Sequence, residues 1–252
     1  AETDNTAKRV YGGDMLGNVW RFDFDDNIAP SGNESFLLAR AETSGGQAQP
    51  ITTRPVLTSI TVGGTPYDLV TIGTGRLLGA SDVGDTTTQS LYVFKDTLPA
   101  TGLGVLRNAS GMVAQPLQQA DGQRRNSTLN PVNWASDLGW YVDLSLSAGE
   151  RLNIDPIQSG NMLGIASNIP DQSVCSPDGT SWEYFFDITK GFVAGSVYGD
   201  AMTAGLNMLK VSLGLKVIRW DVEGKPHVDT PGTGIGLTPG ATRRISWREL
   251  VQ

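Results

Sequence analysis

One pattern recurs four times along the chain and limits its fold more than any other feature. It is a glycine-rich apolar strand, a turn, and an aromatic strand closed by aspartate. The first copy runs Val10-Tyr11-Gly12-Gly13-Asp14, turns through Leu16-Gly17-Asn18, and continues as Val19-Trp20-Arg21-Phe22-Asp23. The second joins Leu69-Val70-Thr71-Ile72-Gly73-Thr74-Gly75 to Ser90-Leu91-Tyr92-Val93-Phe94-Lys95-Asp96 across a long loop. The third joins Met162-Leu163-Gly164-Ile165-Ala166-Ser167 to Trp182-Glu183-Tyr184-Phe185-Phe186-Asp187. A fainter fourth joins Met208-Leu209-Lys210-Val211-Ser212-Leu213 to Lys216-Val217-Ile218-Arg219-Trp220-Asp221. A unit of this size cannot bury its apolar face alone, so the copies must pack on one another.

The unit reads as a blade of a β-propeller. Gly17 and Asn18 accept the positive φ of a tight turn. Val19, Arg21 and Asp23 alternate with Trp20, Phe22 and Phe24, the period of a half-buried strand, and the aromatic side is expected to fill the space between blades. The closing aspartates stand 73, 91 and 34 residues apart. A plain blade needs ~40–45 residues, so two units must carry large loops or extra strands. With 31 Gly and 13 Pro in 252 residues, punctuated short strands are favoured over long helices. The expectation is an all-β chain, a partial propeller of three to four blades with long loops. Residues 1–252 are read as one such domain or a fragment of one.

Further strands are expected at Ser35 to Ala41, Pro50 to Ile60 (with Arg54-Pro55 marking an edge or a bulge), and Pro66 to Gly73. Residues 99–138 are polar and carry no assignment. A new blade is expected from Gly139 to Asp187, opening with Trp140-Tyr141-Val142-Asp143-Leu144 and Arg151-Leu152-Asn153-Ile154. Residues 192–222 supply the last strands. The Thr230–Gly240 stretch reads as irregular, and Ile245 and Trp247 alternate near the end.

The net charge of −7 argues against nucleic-acid binding. The clusters Gln123-Arg124-Arg125-Asn126 and Arg243-Arg244 read as solvated faces. No run of about 18 apolar residues exists to span a membrane, and no signal peptide is read. Cys175 is the single cysteine and has no disulfide partner within the chain. His227, the single histidine, sits in Gly224-Lys225-Pro226-His227 and reads as a surface turn residue. A zinc site is therefore not expected. No Gly-x-Ser-x-Gly elbow occurs, and Gly73-Thr74-Gly75 opens no helix that could cradle a phosphate. The candidate oxygen clusters for calcium are Asp23, Asp25, Asp26 and Asn27, and Asp82-Val83-Gly84-Asp85. The first run lacks the glycine of a calcium loop, and both read as solvated acids. No catalytic, cofactor-binding or metal-ligating residue is assigned.

The motifs as an ordered set resemble the PilY-type type IV pilus biogenesis proteins. They are Tyr11 to Asp23, Ile51-Thr52-Thr53-Arg54-Pro55-Val56, Gly73-Thr74-Gly75-Arg76, Gln89-Ser90-Leu91-Tyr92, Gly139 to Leu144 with Gly149-Glu150-Arg151, Ser181-Trp182 near Cys175, and Arg244 to Leu250. The resemblance spans essentially the whole chain. It implies a modified, quinoprotein-like β-propeller, the C-terminal part of a larger secreted protein of a Gram-negative bacterium. It further implies a non-enzymatic role in pilus assembly or at the pilus tip, supporting extension, twitching motility and adhesion. The implied partners are pilins or minor pilins and a host or abiotic surface, reached by export through the periplasm and outer membrane. Some members carry a calcium loop before the strand matching Val10 to Asp14. Here that stretch is Asp4-Asn5-Thr6-Ala7-Lys8-Arg9, in which no closing acid remains. No cofactor is assigned, and calcium stays an option with the family's loop unmatched. Two alternatives stand beside this reading: a quinone-dependent dehydrogenase-like propeller, and a generic protein-binding scaffold. The expected contact loops are Ala80–Gln89 and Arg107–Asp137, since loops on a rigid scaffold are free to vary and bind.

Overall fold

The computed structural model describes residues 8–24, 35–122, 124–171, 179–211, 214–222 and 224–229. Each of the four repeats forms its own sheet, and none of the sheets closes on itself. In the first sheet β1 (Arg9–Gly13), β2 (Asn18–Asp23) and β3 (Ser35–Arg40) lie in sequence order. The β1–β2 turn is organised by Asp14, whose carboxylate accepts from the Leu16 and Asn18 backbone N–H groups, the Asn18 amide and the Trp20 indole. Gly17 closes the turn at φ 75°, and a Cβ there would strike the Ala41 carbonyl.

The second sheet has the order β4-β5-β6-β10-β7. It comprises β4 (Val56–Val62), β5 (Thr65–Gly73), β6 (Ser90–Lys95), β7 (Met112–Ala114) and β10 (Gly139–Asp143). The strand expected from Pro50 begins only at Val56, past Pro55, and it occupies a sheet edge. Two further strands, β8 (Leu117–Asp121) and β9 (Arg124–Ser127), form a separate hairpin between β7 and β10. The enlarged spacing of the repeats is thus filled by extra strands. β10 does not open the third blade as expected; it pairs antiparallel with β6 of the second. Gly139 permits this, because a Cβ there would fall on the Val93 carbonyl.

The third sheet is the meander β11 (Ile157–Ser159), β12 (Met162–Pro170), β13 (Gly179–Asp187) and β14 (Phe192–Gly199). The segment expected as a strand at Arg151 to Ile154 makes only one isolated bridge, Arg151 to Asn168. The fourth sheet is β15 (Thr203–Val211), β16 (Gly214–Asp221) and β17 (Pro226–Asp229). The expectations at Thr230–Gly240 and at residues 244–250 lie outside the described residues.

Stacking of the sheets face to face creates three apolar junctions. Val19, Leu38 and Ala39 of the first sheet meet Val70, Ile72, Tyr92 and Phe94 of the second. Leu91, Val93, Trp140 and Val142 on the other side of the second sheet meet Leu163, Ile165, Tyr184 and Phe186 of the third. Phe185 and Ala166 on the far side of the third sheet meet Leu206 of the fourth. The two inner aromatic strands, β6 and β13, are therefore buried on both faces, and alternate side chains serve different junctions. The end sheets differ. In β2 it is Val19, Arg21 and Asp23 that are buried, while Trp20 and Phe22 are half-buried and Phe24 is exposed. In the fourth sheet Arg219 and Asp221 are buried and Trp220 is exposed. The expectation that the aromatic side of every copy fills an inter-blade space thus holds for β6 and β13 and reverses for β2. The reason is ionic: the inward arginine of β2 pairs with Asp23 of its own strand and with Asp96 across the junction.

Candidate functional site

The charged groups that the sequence scatters are gathered at the junctions between sheets. At the first, the buried Arg21 guanidinium lies 2.9 Å from Asp23 and 3.0 Å from Asp96 of the second sheet, and stacks 4.8 Å from the Phe36 ring centroid. Tyr11 donates its hydroxyl to the same Asp96 at 2.7 Å. Burial, followed by the Asp96 charge, pushes the Tyr11 hydroxyl far above its ordinary value. Burial works against the charge on Arg21, but its two carboxylate partners outweigh that and keep it protonated.

The fourth repeat repeats the device. Arg219 stands two residues before Asp221, as Arg21 stands two before Asp23, and it pairs at 2.8 Å with the buried Glu183 of the third sheet. The corresponding positions of the inner copies, Phe94 and Phe185, line those same two junctions. The four copies therefore pack as two couples, each with arginine on one sheet and an acid beside a phenylalanine on the other.

A third cluster joins the inserted hairpin to the third sheet. Arg125 is 4% exposed; its guanidinium bonds Glu150 at 2.6 Å, Ser147 at 2.6 Å and the Tyr184 hydroxyl, and lies 4.1 Å from the Trp182 ring centroid. Burial and then the Glu150 charge push the Tyr184 hydroxyl well up. The reading of Gln123-Arg124-Arg125-Asn126 as a solvated face is thus corrected at Arg125. β9 points Arg125 and Ser127 inward and Asn126 outward, an alternation visible in the sequence once the segment is taken as a strand. In a fourth cluster Arg107 pairs with Asp143 at 2.8 Å and bonds the Glu42 carbonyl at 2.6 Å. Beside it Ser90 donates to Asp143, Gln49 to Ser90, and Tyr92 to Gln49, at 2.6–2.7 Å. Desolvation pushes the Tyr92 hydroxyl up to about 12.

Among the described residues, the candidate calcium acids are already engaged. The Asp82 carboxylate, in the short helix Ala80–Val83, accepts from the Leu78 and Gly79 N–H groups and from Arg76; the Leu78 bond leads in holding it below the usual carboxylate range. Asp85 accepts from the Thr87 N–H. Arg151 reaches the Asp82 and Asp85 carbonyls, so the Ala80–Gln89 loop is pinned to the third blade's approach. Asp23 is taken by Arg9 and Arg21, while Asp4, Asn5, Asp25, Asp26 and Asn27 lie outside the described residues. Among the described residues, no group of three or more His, Cys, Asp or Glu could hold a metal ion. His227 is no turn residue; it lies in β17 and meets Asp221 at 3.0 Å. Cys175 and Arg243-Arg244 lie outside the described residues. Ser90 donates to the half-buried Asp143 and Ser167 to the buried Glu150, with no imidazole in either cluster. These clusters are ion-pair staples between sheets, with no nucleophile–base arrangement among them.

The surface is polar around the inserted hairpin. Arg107–Asp137 is not the open loop expected: Gln115, Leu117, Arg125 and Trp134 are buried, and the Trp134 indole donates to the Thr189 carbonyl at 2.6 Å. What it does expose is the hairpin tip, Gln118 to Gly122. A groove of about 380 Å³ runs between this hairpin and β14, over Phe185, Phe192, Val193 and Val197. The hairpin closes it by seating Ser196 Oγ between the Arg125 N–H and carbonyl.

No family model matches the chain. It is 28% identical over 283 residues to a type IV pilus biogenesis factor PilY1 homolog of Xylella fastidiosa, covering 100% of this chain and 22% of that protein. It is 26% identical over 308 residues to the type IV pilus biogenesis factor PilY1 of Pseudomonas aeruginosa, covering 98% of this chain and 26% of that protein. The chain thus spans about a quarter or less of the length of these relatives. The crystal structure of the Pseudomonas aeruginosa PilY1 C-terminal domain shares the fold, with a TM-score of 0.67, 23% identity, and coverage of 92% of this chain and 60% of that one. The chain is similar to the PilY1-type pilus biogenesis factors along its whole length, and its fold is the β-propeller-like fold of the Pseudomonas aeruginosa PilY1 C-terminal domain.

Proposed function

We propose, from this kinship with PilY1-type factors, that the chain is the non-catalytic propeller module of a longer type IV pilus biogenesis protein of a Gram-negative bacterium. In this reading the longer protein is exported through the periplasm and outer membrane to the cell surface or pilus. There it supports pilus extension, twitching motility and adhesion through contacts with pilins and with a surface. The observation that carries the reading is end-to-end similarity to PilY1-type proteins over 98–100% of the chain. The geometry supports a scaffold rather than a catalyst, since its buried ionisable groups are taken up in sheet-to-sheet ion pairs. No helix among the described residues is long and apolar enough to cross a membrane. The contact surface is assigned to the exposed hairpin tip Gln118 to Gly122 and the exposed stretch Leu78 to Ser81, which a rigid array of sheets holds out to solvent. Deleting the gene is expected to remove or sharply reduce surface pili and to abolish twitching. A deletion strain with normal pili and normal twitching contradicts the proposal.

A further inference from the structure

We infer that one strand end of the first two sheets is an adhesive face for uncharged apolar surfaces, carried by Leu16 and Leu78 at the tips of two equivalent connections. The inference deepens the adhesion reading above and rests on it for its setting. Leu78 and Leu16, 73% and 70% exposed, are the two most exposed large hydrophobic side chains among the described residues. A single exposed leucine needs no explanation, but these two form a matched pair. Each lies in the link from the glycine-rich strand to the aromatic strand of its repeat, after an apolar neighbour and before a glycine, as Met15-Leu16-Gly17 and Leu77-Leu78-Gly79. Each has its backbone N–H held by an aspartate carboxylate of the same link, Leu16 by Asp14 at 2.9 Å and Leu78 by Asp82 at 2.8 Å. The main chain at both tips is therefore ordered before any contact is made, which lowers the entropy lost on binding.

The two links are laced into one platform by the segment between the sheets. The Ile51 N–H donates to the Asp14 carbonyl at 2.9 Å, and the Pro50 carbonyl accepts from the Gly75 N–H at 2.7 Å. The exposed Met15 and Leu146 lie at the same strand end, Leu146 just past Asp143, which pairs with Ser90 at the start of β6. The charge around the tips names what they fit. The exposed arginines of this end are each set against an acid of the same end: Arg40 with Glu42 at 3.6 Å, Arg54 with Asp155 at 3.7 Å and Arg76 with Asp82 at 2.7 Å. Leucine tips in a field of self-compensated charge offer no basic cluster to an anionic bilayer. They suit a hydrocarbon-like solid, because moving a leucine side chain out of water is favourable and asks for no polar partner.

Adsorption isotherms of the full-length protein on methyl-terminated and hydroxyl-terminated alkanethiol monolayers test it. Leu16→Ser together with Leu78→Ser should weaken binding to the methyl monolayer by about tenfold or more. The same pair should leave binding to the hydroxyl monolayer and the melting temperature unchanged. Leu129→Ser, at an exposed leucine of another connection, should leave both isotherms unchanged. Equal binding by the double variant and the wild type overturns the inference. So does equal weakening by Leu129→Ser, or binding that appears only when purified pilins are added or only on vesicles of phosphatidylglycerol. Hydroxyl-radical footprinting on methyl-coated beads gives an independent readout: Met15, Leu16 and Leu78 should be protected several-fold and Leu129 should react as in solution. Unprotected Leu16 and Leu78 also overturn it. Such a failure in a protein whose deletion still removes pili would leave the pilus reading standing without this inference.

Discussion

The arginine of the first repeat is worth more to the fold than the tryptophan beside it. Arg21 is fully buried between Asp23 and Asp96, while Trp20 faces outward and is half-buried. Removing one partner of a buried ion pair leaves uncompensated charge and typically costs ~3–5 kcal/mol. Arg21→Met is therefore expected to lower the denaturation midpoint well beyond Trp20→Ala, and Asp96→Asn in the Arg21→Met background should restore part of the loss. Urea unfolding of the three variants checks this; a larger loss from Trp20→Ala would contradict the inward assignment of β2. The sequence made the alternation of this strand plain but left its direction open. Period two separates two faces without saying which is inside, and hydrophobicity points to the wrong one wherever an arginine is neutralised by acids distant in sequence. Arg125 eluded the sequence reading for the same reason, since its partners Glu150 and Tyr184 are 25 and 59 residues away.

The four repeats became four sheets because each carries its own turn and its own alternating strands, which are local signals. Membership of a sheet is a different matter. β10 follows the inserted hairpin in sequence, yet it returns to β6, and only the absent side chain of Gly139 hints at so close an approach. The segment Arg107–Asp137 looked like a loop because its anchors are few and widely spaced among polar residues. Those anchors make it structural. Deleting Arg107–Asp137 would remove Arg125 and Trp134 from the core and β7 from the edge of the second sheet. The expected outcome is a protein that fails to fold cooperatively, seen as loss of the near-ultraviolet circular dichroism signal. Replacing the exposed Gln118 and Gln119 by alanine should leave that signal unchanged. A folded deletion variant would contradict the hairpin's structural role.

Taken whole, the molecule is a stack of sheets held by apolar contact and fastened by ion pairs at its two end junctions and at the inserted hairpin, and its stability should register the buried tyrosines beside them at high pH. A tyrosine whose hydroxyl is raised in the folded state favours the folded form while protonated. Its contribution is fully present below the unfolded value near 10 and is lost as pH rises through the folded value, which for Tyr92 is about 12. Tyr11 and Tyr184 are raised as well and act in the same direction. Stability should therefore fall steeply from about pH 10 upward, and Tyr92→Phe should flatten that fall while lowering stability at neutral pH through the lost bond to Gln49. Thermal unfolding across this range measures both effects; an unchanged alkaline slope in the variant would show that Tyr92 is not held as described.

The proposal that this scaffold serves the assembly of a type IV pilus is open to a direct test. The most direct measurement is a count of surface pili per cell by electron microscopy in a strain deleted for the gene. The same count is made after complementation with the full-length protein, either unaltered or carrying Arg21→Met together with Gly139→Ala to break the fold of this domain. Few or no pili are expected in the deletion strain, full recovery with the unaltered protein, and no recovery with the doubly substituted one. Normal pilus numbers in the deletion strain, or full recovery by a protein whose domain is unfolded, would contradict it.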